Sequence, residues 1–533
     1  MASKHVFIPD KLSSEALDVL GAAGNIEVDY RPGLPVEEKL EAVKGAHGVI
    51  IRSATQADAA FLEAASELQM LIRAGVGVDN VDVDVATQRG VVVQNIPEGN
   101  TRSAAEHTIA MILSLSRNVP QAHATMQDGL WERSKFVGVE VKGKTLGVIG
   151  LGKIGRHVVD MAMGLGFKIL AFDPFVSQRL AEEIGVGLIQ DVGELASQSD
   201  FLTVHVPKVA ATMGLINDAV LEKAKDGMRL INCARGGIVD EDAVLRALES
   251  GKIAGAALDV FETEPPERTE LVTHPKVIVT PHLGASTKEA QENVAISASK
   301  LMVDFFDSGR LHSPVNTIIV DPDLRDSLEP YSELASALGQ VQAQLLEGNP
   351  ERIVIRFMGK VFDGKAQSFL SNAVLEGFLR GLSAQPINRV NARWVAKDRG
   401  LVVEEQSEGM SRYFVDMIKV EVSDSDGKRE VGGTIRGRRG LRLVSLDDYH
   451  FDAVLEGNLC LAANQDRPGM IGSIGQAIAQ NDLNISSMSL GRDKSGGMAL
   501  SVLNIDGDVP PAALEAVRAV DGIHWAKTVS VGG

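Results

Sequence analysis

One stretch narrows the choice of fold more than any other. The chain runs Thr145-Leu-Gly-Val-Ile-Gly150-Leu-Gly152-Lys153-Ile154-Gly155, continues with helical spacing over 156–165, and then reads Lys168-Ile-Leu-Ala-Phe-Asp173. Glycines spaced G-x-G-x-x-G after a short apolar run and at the head of a helix suit a βαβ unit whose first turn wraps a pyrophosphate. Gly150 permits the tight turn, Gly152 lets the backbone approach the anion, and Gly155 lets helix and sheet pack closely. The helix N-terminus, from Lys153 and Ile154 onward, offers free N–H groups to the anion. Asp173, ending the next strand, is placed to grip adenosine ribose hydroxyls and to repel a 2′-phosphate, which favours NAD over NADP. The alternative is glycines used only for packing, with Asp173 a solvated strand end.

This unit sits within a longer alternation. Short apolar runs at 6–8, 48–51, 70–72 and 91–93 alternate with helical spacing at 14–20 and 57–65, and a second series includes 168–172, 201–206, 230–233, 254–260 and 277–280. Both series predict α/β domains with doubly wound parallel sheets. An apolar helix over 104–116 leads from the first to the second, and one over 288–307 returns. The first domain is therefore expected to be discontinuous, 1–98 plus 286–316, with the Rossmann-type nucleotide domain 99–285 inserted into it. Beyond about 316 the texture changes to a helix over 334–346 and strand-like runs at 353–357, 390–395, 414–422 and 441–446. That predicts a separate α+β module over 317–455. Arg436, Arg438 and Arg439 read as an exposed hairpin or, alternatively, an anion site. The segment 456–533 follows a βαββα order.

At 533 residues, 44% hydrophobic and 4% aromatic, the chain holds several aliphatic cores. A net charge of −18 argues against nucleic acid as a partner. Cys233 and Cys460, far apart and without metal-ligand neighbours, support neither a disulfide framework nor a metal site. The start meets charge and proline early, and no run approaches roughly 18 apolar residues. No membrane association is expected, and a cytoplasmic location is.

The chemistry-bearing residues fall at predicted strand ends of the second series. Arg235 follows Asn232-Cys-Ala, and a guanidinium there can hold a carboxylate bidentately and polarise an adjacent carbonyl. His282, in Thr280-Pro-His-Leu-Gly284, suits removal of a hydroxyl proton near neutral pH. Glu264, in Asp259-Val-Phe-Glu-Thr-Glu-Pro-Pro, can orient the imidazole. Arg235 as an ion-pair partner and His282 as a structural histidine are the alternatives.

These stretches, with Ala257-Leu-Asp-Val-Phe261 and Pro281-His-Leu-Gly-Ala285, resemble the D-isomer-specific 2-hydroxyacid dehydrogenase family over about residues 1–315. The resemblance implies hydride transfer from substrate C2 to nicotinamide C4. It makes Arg235 the carboxylate binder, His282 the proton acceptor and Glu264 its partner. It also implies that Val76, Val206, Cys233, Ala234, Arg235, Asp259, His282, Gly284 and Ala285 line the cofactor.

The first domain supplies Arg52-Ser53-Ala54 and Arg73-Ala-Gly75-Val76. Backbone N–H groups of Gly75 and Val76 can meet a carboxylate, while Arg52 and Ser53 can hold a second anionic group; a surface ion pair for Arg52 is the alternative. Together with the stretches around Asn100, Arg133 and Lys288, they are similar to the family branch that oxidises 3-phospho-D-glycerate in L-serine biosynthesis. That similarity implies substrate contacts from Arg52, Ser53, Gly75, Val76, Asn100, Arg133, Arg235 and His282, with Arg133 reaching a neighbouring subunit. Some relatives read Arg-Ser-Arg where this chain has Ala54, which puts one phosphate contact in doubt. The tail, with Asp466-Arg-Pro-Gly and Asn484-Ile-Ser, resembles an ACT domain of βαββαβ type. It implies an L-serine effector site near Asn464, Asp466 and Asn484, with assembly alone as the alternative. Residues 317–455 resemble the intervening domain of long-chain members and receive no chemistry. The family implies a homotetramer. Other readings of the same residues are a hydroxypyruvate or glyoxylate reductase, a 2-hydroxyglutarate dehydrogenase, or a dinucleotide-sensing corepressor-like protein.

Overall fold

The computed structural model describes residues 3–532 apart from 321, 363, 410, 412, 426 and 495. Five parallel strands, β1 (Lys4–Ile8), β2 (Ile26–Tyr30), β3 (Gly48–Ile51), β4 (Met70–Arg73) and β5 (Val92–Asn95), pair in the order β2-β1-β3-β4-β5. This is the flavodoxin-like order. β3 is buried along its whole length, which is why it reads as an unbroken aliphatic run rather than an alternating one. The expected returning helix is Lys288–Ser308. Its Val294, Ala298 and Met302 share one core with Val6, Ile8, Ile50 and Ile72. The chain then closes on β5, with Val315 N–H donating to Val93 O and Gln94 Oε1 accepting from the backbone of His312 and Ser313.

Seven parallel strands build the second sheet: β6 (Thr145–Ile149), β7 (Lys168–Phe172), β8 (Gly187–Leu188), β9 (Phe201–Val204), β10 (Met228–Asn232), β11 (Ile253–Leu258) and β12 (Val277–Val279). Their order is β12-β11-β10-β9-β6-β7-β8. The direction of winding reverses between β6 and β9, and open α/β sheets receive ligands in the crevice beyond such a switch point. The connecting helix is Thr101–Arg117, and its Ala105, Met111, Ile112 and Leu115 join the core of this sheet.

The third sheet holds β13 (Arg352–Met358), β14 (Val402–Glu408), β15 (Met417–Asp424), β16 (Gly427–Arg436), β17 (Gly440–Leu446) and β18 (Tyr449–Val454). β13 and β14 run parallel and the remaining pairs are antiparallel. The run 390–395 does not form the expected strand. It enters the helix Ala392–Asp398, because Ala392, Val395 and Ala396 recur at helical spacing and all three are buried. The expected helix over 334–346 begins earlier, at Pro322, and ends at Leu345. Arg438 and Arg439 are exposed in the turn between β16 and β17, as the hairpin reading expects.

The last sheet, β19 (Gly457–Gln465), β20 (Ile485–Arg492), β21 (Met498–Ile505) and β22 (Ile523–Val531), is antiparallel in the order β20-β21-β19-β22. β22 completes a βαββαβ unit. Its core is not separate from that of the third sheet. Leu334, Leu338, Val341 and Leu345 of the helix Pro322–Leu345 lie in one cluster with Ile418 and Leu443 on one side and Leu461, Val502 and Val529 on the other.

Candidate active site

The glycine turn follows from its residues. Gly150 has φ +95, and a Cβ there would lie 2.7 Å from His205 O. A Cβ at Gly155 would lie 2.0 Å from Gly150 O, so helix and strand approach as closely as backbone allows. A Cβ at Gly152 would meet nothing within 4 Å. Gly152 is also the N-cap of the helix Lys153–Gly164 and lacks a side-chain cap, so open space faces unpaired helical N–H groups. Asp173 Oδ2 accepts from Leu151 N–H at 2.7 Å and its Oδ1 from Phe175 N–H at 2.9 Å, which holds the carboxylate beside the turn. Val206 lies against Gly150. Ile154 packs on the core of the sheet, and Lys153 pairs with Glu98 across the interdomain cleft. The residues fit a dinucleotide.

Beyond the ends of β10, β11 and β12 stand Arg235, Glu264 and His282. Asn232 shapes the first loop: its Oδ1 accepts from Ala234 N–H and its Nδ2 donates to Arg235 O, both at 3.0 Å. A Cβ at Gly236 would lie 1.7 Å from Phe261 O, so the Arg235 loop presses on the loop that carries Glu264. Arg235 Nη1 donates to Ala234 O at 2.7 Å and Nε to Asp79 Oδ2 at 3.1 Å, which leaves Nη2 as the unspent arm. His282 Nδ1 lies 2.7 Å from Glu264 Oε2, while Glu264 Oε1 accepts from Phe261 N–H. The carboxylate thus fixes the ring through Nδ1 and leaves Nε2 for the substrate.

His282 adopts φ +54, a left-handed conformation uncommon outside glycine. Asp259 holds it in place. Its carbonyl accepts from His282 N–H, and its fully buried carboxylate accepts from Leu283 N–H, Gly284 N–H and Thr280 Oγ1 and pairs with His107 at 3.1 Å. Burial alone would raise the Asp259 pKa, but the His107, Thr280 and Leu283 hydrogen bonds outweigh it and hold the group below its ordinary value. Ser103 Oγ donates to Gly284 O, and Ala285 follows at the half-buried rim. Cys233 is buried beneath the loop, and burial first, with the Asp259 charge second, pushes its thiol far above the usual range. It stays a thiol.

The opposite wall comes from the first sheet. Asp10 accepts from Arg52 N–H and Thr55 Oγ1, and Asn80 donates to Arg52 O and Thr55 O, so the Arg52-Ser53 loop is clamped from two sides. Lys39 Nζ donates to Thr55 Oγ1 at 2.9 Å and sets an ammonium beside this loop. The Gly75 N–H is not free as expected: it donates to Arg73 O within its own tight turn, whereas Val76 N–H makes no bond among the described residues. Arg73 folds over that turn with its guanidinium against Gly75. Burial, and then the neighbouring Arg235 charge, bring its pKa down to about 10, so it remains cationic. Among the described residues its Nε is buried without a partner, and so is Asn100 Oδ1. Arg133 lies apart, exposed in the short turn Arg133–Phe136.

Arg73, Lys39, Asn232 and His107 were assigned no role from sequence. Only Asn232 carries a local signal, a turn-forming amide at a strand end. The others act through contacts between distant segments.

The chain matches the family model described as D-isomer specific 2-hydroxyacid dehydrogenase, NAD binding domain, over residues 109–284. It also matches the D-3-phosphoglycerate dehydrogenase intervening domain over 327–447 and the ACT domain over 463–522. The D-3-phosphoglycerate dehydrogenase of Archaeoglobus fulgidus is 39% identical over 529 residues, covering 99% of this chain and 100% of that protein. That of Bacillus subtilis is 38% identical over 526 residues, 99% of each. The chain belongs to the D-3-phosphoglycerate dehydrogenase family.

Solved structures of shorter chains align with more than half of the chain. The TT0316 protein of Thermus thermophilus is 31% identical with TM-score 0.53, covering 58% of this chain and 99% of that one. The NAD+-bound 3-phosphoglycerate dehydrogenase of Entamoeba histolytica is 26% identical with TM-score 0.51, covering 60% and 100%. NAD is the cofactor of the nucleotide domain in this family, in keeping with the open Gly152 turn and Asp173.

In the ACT unit the three expected effector residues do not meet within one chain. Asn464 is buried, with Oδ1 accepting from Ser501 Oγ and Nδ2 donating to Gln465 O. Asp466 accepts from Gly496 N–H and pairs with Arg492. Asn484 donates to Asp506 at the far end of the sheet: β19 pairs Asn464 with Ala499 but Asn458 with Ile505, beside Asn484. A site using all three needs a second copy of the unit.

Proposed function

We propose that the chain catalyses the NAD-dependent oxidation of 3-phospho-D-glycerate to 3-phosphohydroxypyruvate, the first committed step of L-serine biosynthesis. The observation that carries this reading is the convergence of Arg52, Arg73 and Lys39 on the wall facing Arg235 and the His282–Glu264 pair. A substrate with an anion at each end needs cations on both walls. Arg235 Nη2 and the Val76 N–H bind the carboxylate, and Arg52, Ser53, Arg73 and Lys39 receive the phosphate, Lys39 standing in for the cation that Ala54 lacks. Bound NAD supplies the hydride acceptor. His282 Nε2 takes the C2 hydroxyl proton as the hydride leaves, and Glu264 stabilises the imidazolium that results. Arg235 polarises the carbonyl as it forms.

The remaining cofactor contacts are assigned to the glycine turn, Val206, Cys233, Ala234, Asp259, Gly284 and Ala285. Asn100, whose amide oxygen has no partner, and Arg133 of a neighbouring subunit complete the substrate set. The domains are assigned as 1–98 plus 286–316, 99–285, 317–455 and 456–533, a division supported by the presence of four sheets. A homotetramer is favoured by the apolar side chains left bare on the 119–137 segment, among them Trp131, 79% exposed. L-serine is assigned to paired ACT units as an effector, and the location to the cytoplasm. No helix among the described residues is long and apolar enough to cross a membrane.

The test is NAD reduction with 3-phosphoglycerate, D-glycerate, D-lactate and 2-hydroxyglutarate in parallel. A preference for 3-phosphoglycerate over D-glycerate that collapses in Arg73→Ala supports the reading; equal turnover of D-glycerate by the wild type refutes it. An L-serine titration of the initial rate tests the effector assignment.

A further inference from the structure

The loop that carries His282 is gripped from outside its own sheet by one helix. Ser103 and His107 stand one turn apart on the helix Thr101–Arg117 and reach the two ends of the loop. Ser103 Oγ donates to Gly284 O at 2.8 Å. His107 Nε2 lies 3.2 Å from Thr280 Oγ1 and 3.1 Å from Asp259 Oδ1. A carboxylate oxygen only accepts, and the Thr280 hydroxyl gives its hydrogen to Asp259 at 2.6 Å, so His107 Nε2 carries a proton and donates to both. The same helix takes the chain from the first domain into the second, so both grips on the His282 loop ride on the connection between the two walls of the cleft.

Asp259 is the centre of this arrangement. Its carboxylate gathers four donors: Thr280 Oγ1, Leu283 N–H and His107 Nε2 on Oδ1, and Gly284 N–H on Oδ2. Among the described residues, His107 is the one donor to this carboxylate from outside the 280–284 loop. His282 sits between the others, at φ +54, with its own N–H on Asp259 O. Without His107 a fully buried anion would be short of a donor. It would relax by taking a proton or by turning away, and either change weakens the bonds to Thr280 and Leu283 on each side of His282.

Resting on the proton-acceptor role proposed above for His282, we propose that His107 is a positioning residue for the reaction: through Asp259 and Thr280 it keeps the His282 ring aligned with the substrate hydroxyl. It takes no part in the proton transfer itself. A base displaced by about 1 Å loses on the order of a hundredfold in rate. Arg235 and the wall of Arg52 and Arg73 stay where they are, so the loss falls on the chemical step and not on substrate binding.

The test compares two variants of the full-length protein. His107→Gln places an amide N–H where Nε2 stood, and His107→Asn is one bond too short to do so. The rate of NADH formation in a single turnover should stay within about threefold of wild type for His107→Gln and fall at least about tenfold for His107→Asn, with the half-saturating hydroxy-acid concentration moving less than about twofold. In a His282→Ala background the same Asn substitution should cause no further loss, because no ring is left to place. Crystal structures of the two variants give a readout that needs no turnover. His107→Asn should lose the 2.7 Å contact of His282 Nδ1 with Glu264 Oε2 or the left-handed φ of His282, and His107→Gln should keep both. Equal rates in the two variants, a loss that persists in the His282→Ala background, or an undisturbed His282 in His107→Asn overturns the proposal. A wild type that oxidises no hydroxy acid refutes the proposed function alone, and the crystal comparison then decides the role of His107.

Discussion

Asp79 Oδ2 stands 3.1 Å from Arg235 Nε, so the guanidinium assigned to the substrate carboxylate is anchored from the opposite wall of the cleft. This contact ties the two parallel-sheet domains together at the reacting centre. Asp79→Asn keeps the shape and removes the charge, leaving Arg235 free to swing. The expected result is a rise in KM for the hydroxy acid of about tenfold with a smaller change in kcat, read by steady-state NAD reduction.

His282→Ala removes the proton acceptor. Turnover should fall between about a hundredfold and ten-thousandfold, the usual range for a positioned general base. NADH binding, followed by fluorescence, should persist. Glu264→Gln, which keeps a hydrogen bond to Nδ1 without the charge, should fall between the two; near-wild-type turnover in His282→Ala would discard the assigned role.

Asp173, held beside the glycine turn by Leu151 and Phe175 N–H, is proposed to meet the adenosine ribose and to repel a 2′-phosphate. Asp173→Ser should reduce the ratio of kcat/KM for NAD over NADP by about tenfold or more. An unchanged ratio would mean that discrimination lies elsewhere.

His205, whose Nε2 lies 3.0 Å from Thr203 Oγ1 behind the glycine turn, titrates in a useful window. Burial lowers its pKa from 6.5 to about 4, so the folded state keeps the ring neutral where the unfolded chain protonates it. Its contribution to stability is therefore intact above about pH 6.5 and declines as the pH falls towards about 4, a loss of about 3 kcal/mol. Urea denaturation at pH 7 and pH 5 should show a smaller decline for His205→Gln than for the wild type.

Trp131 is too exposed for a side chain of its size to be idle. If the proposed homotetramer uses this side chain, Trp131→Glu should dissociate it, seen as a lower mass in sedimentation equilibrium. An unchanged mass would place the subunit contact elsewhere.

What was legible in the sequence was mostly local. The glycine spacing, the strand-end Arg235 and His282 and the alternation of strands and helices follow from short-range chemistry and hydrophobic period. Arg73 carries no local signal, because its burial over Gly75 depends on a turn whose shape the residues do not announce. The engaged N–H of Gly75 is hidden for the same reason, since spacing does not reveal a tight turn that closes on itself. His107 and Asp259 lie on separate elements and meet only when the helix Thr101–Arg117 crosses the sheet. The run 390–395 reads as a strand in sequence, yet enters the helix Ala392–Asp398, because a short apolar segment fits both periods.

The continuous core beneath the third and fourth sheets has a consequence for how the C-terminal half can be divided. Cutting before β19 would strip the helix Pro322–Leu345 of Leu461, Val502 and Val529 and leave a greasy seam facing water. A truncated enzyme without its ACT unit should then be a sticky, half-melted protein rather than a deregulated one. Removing both units together at the linker ahead of that helix spares this seam and costs the first domain the packing of Val390.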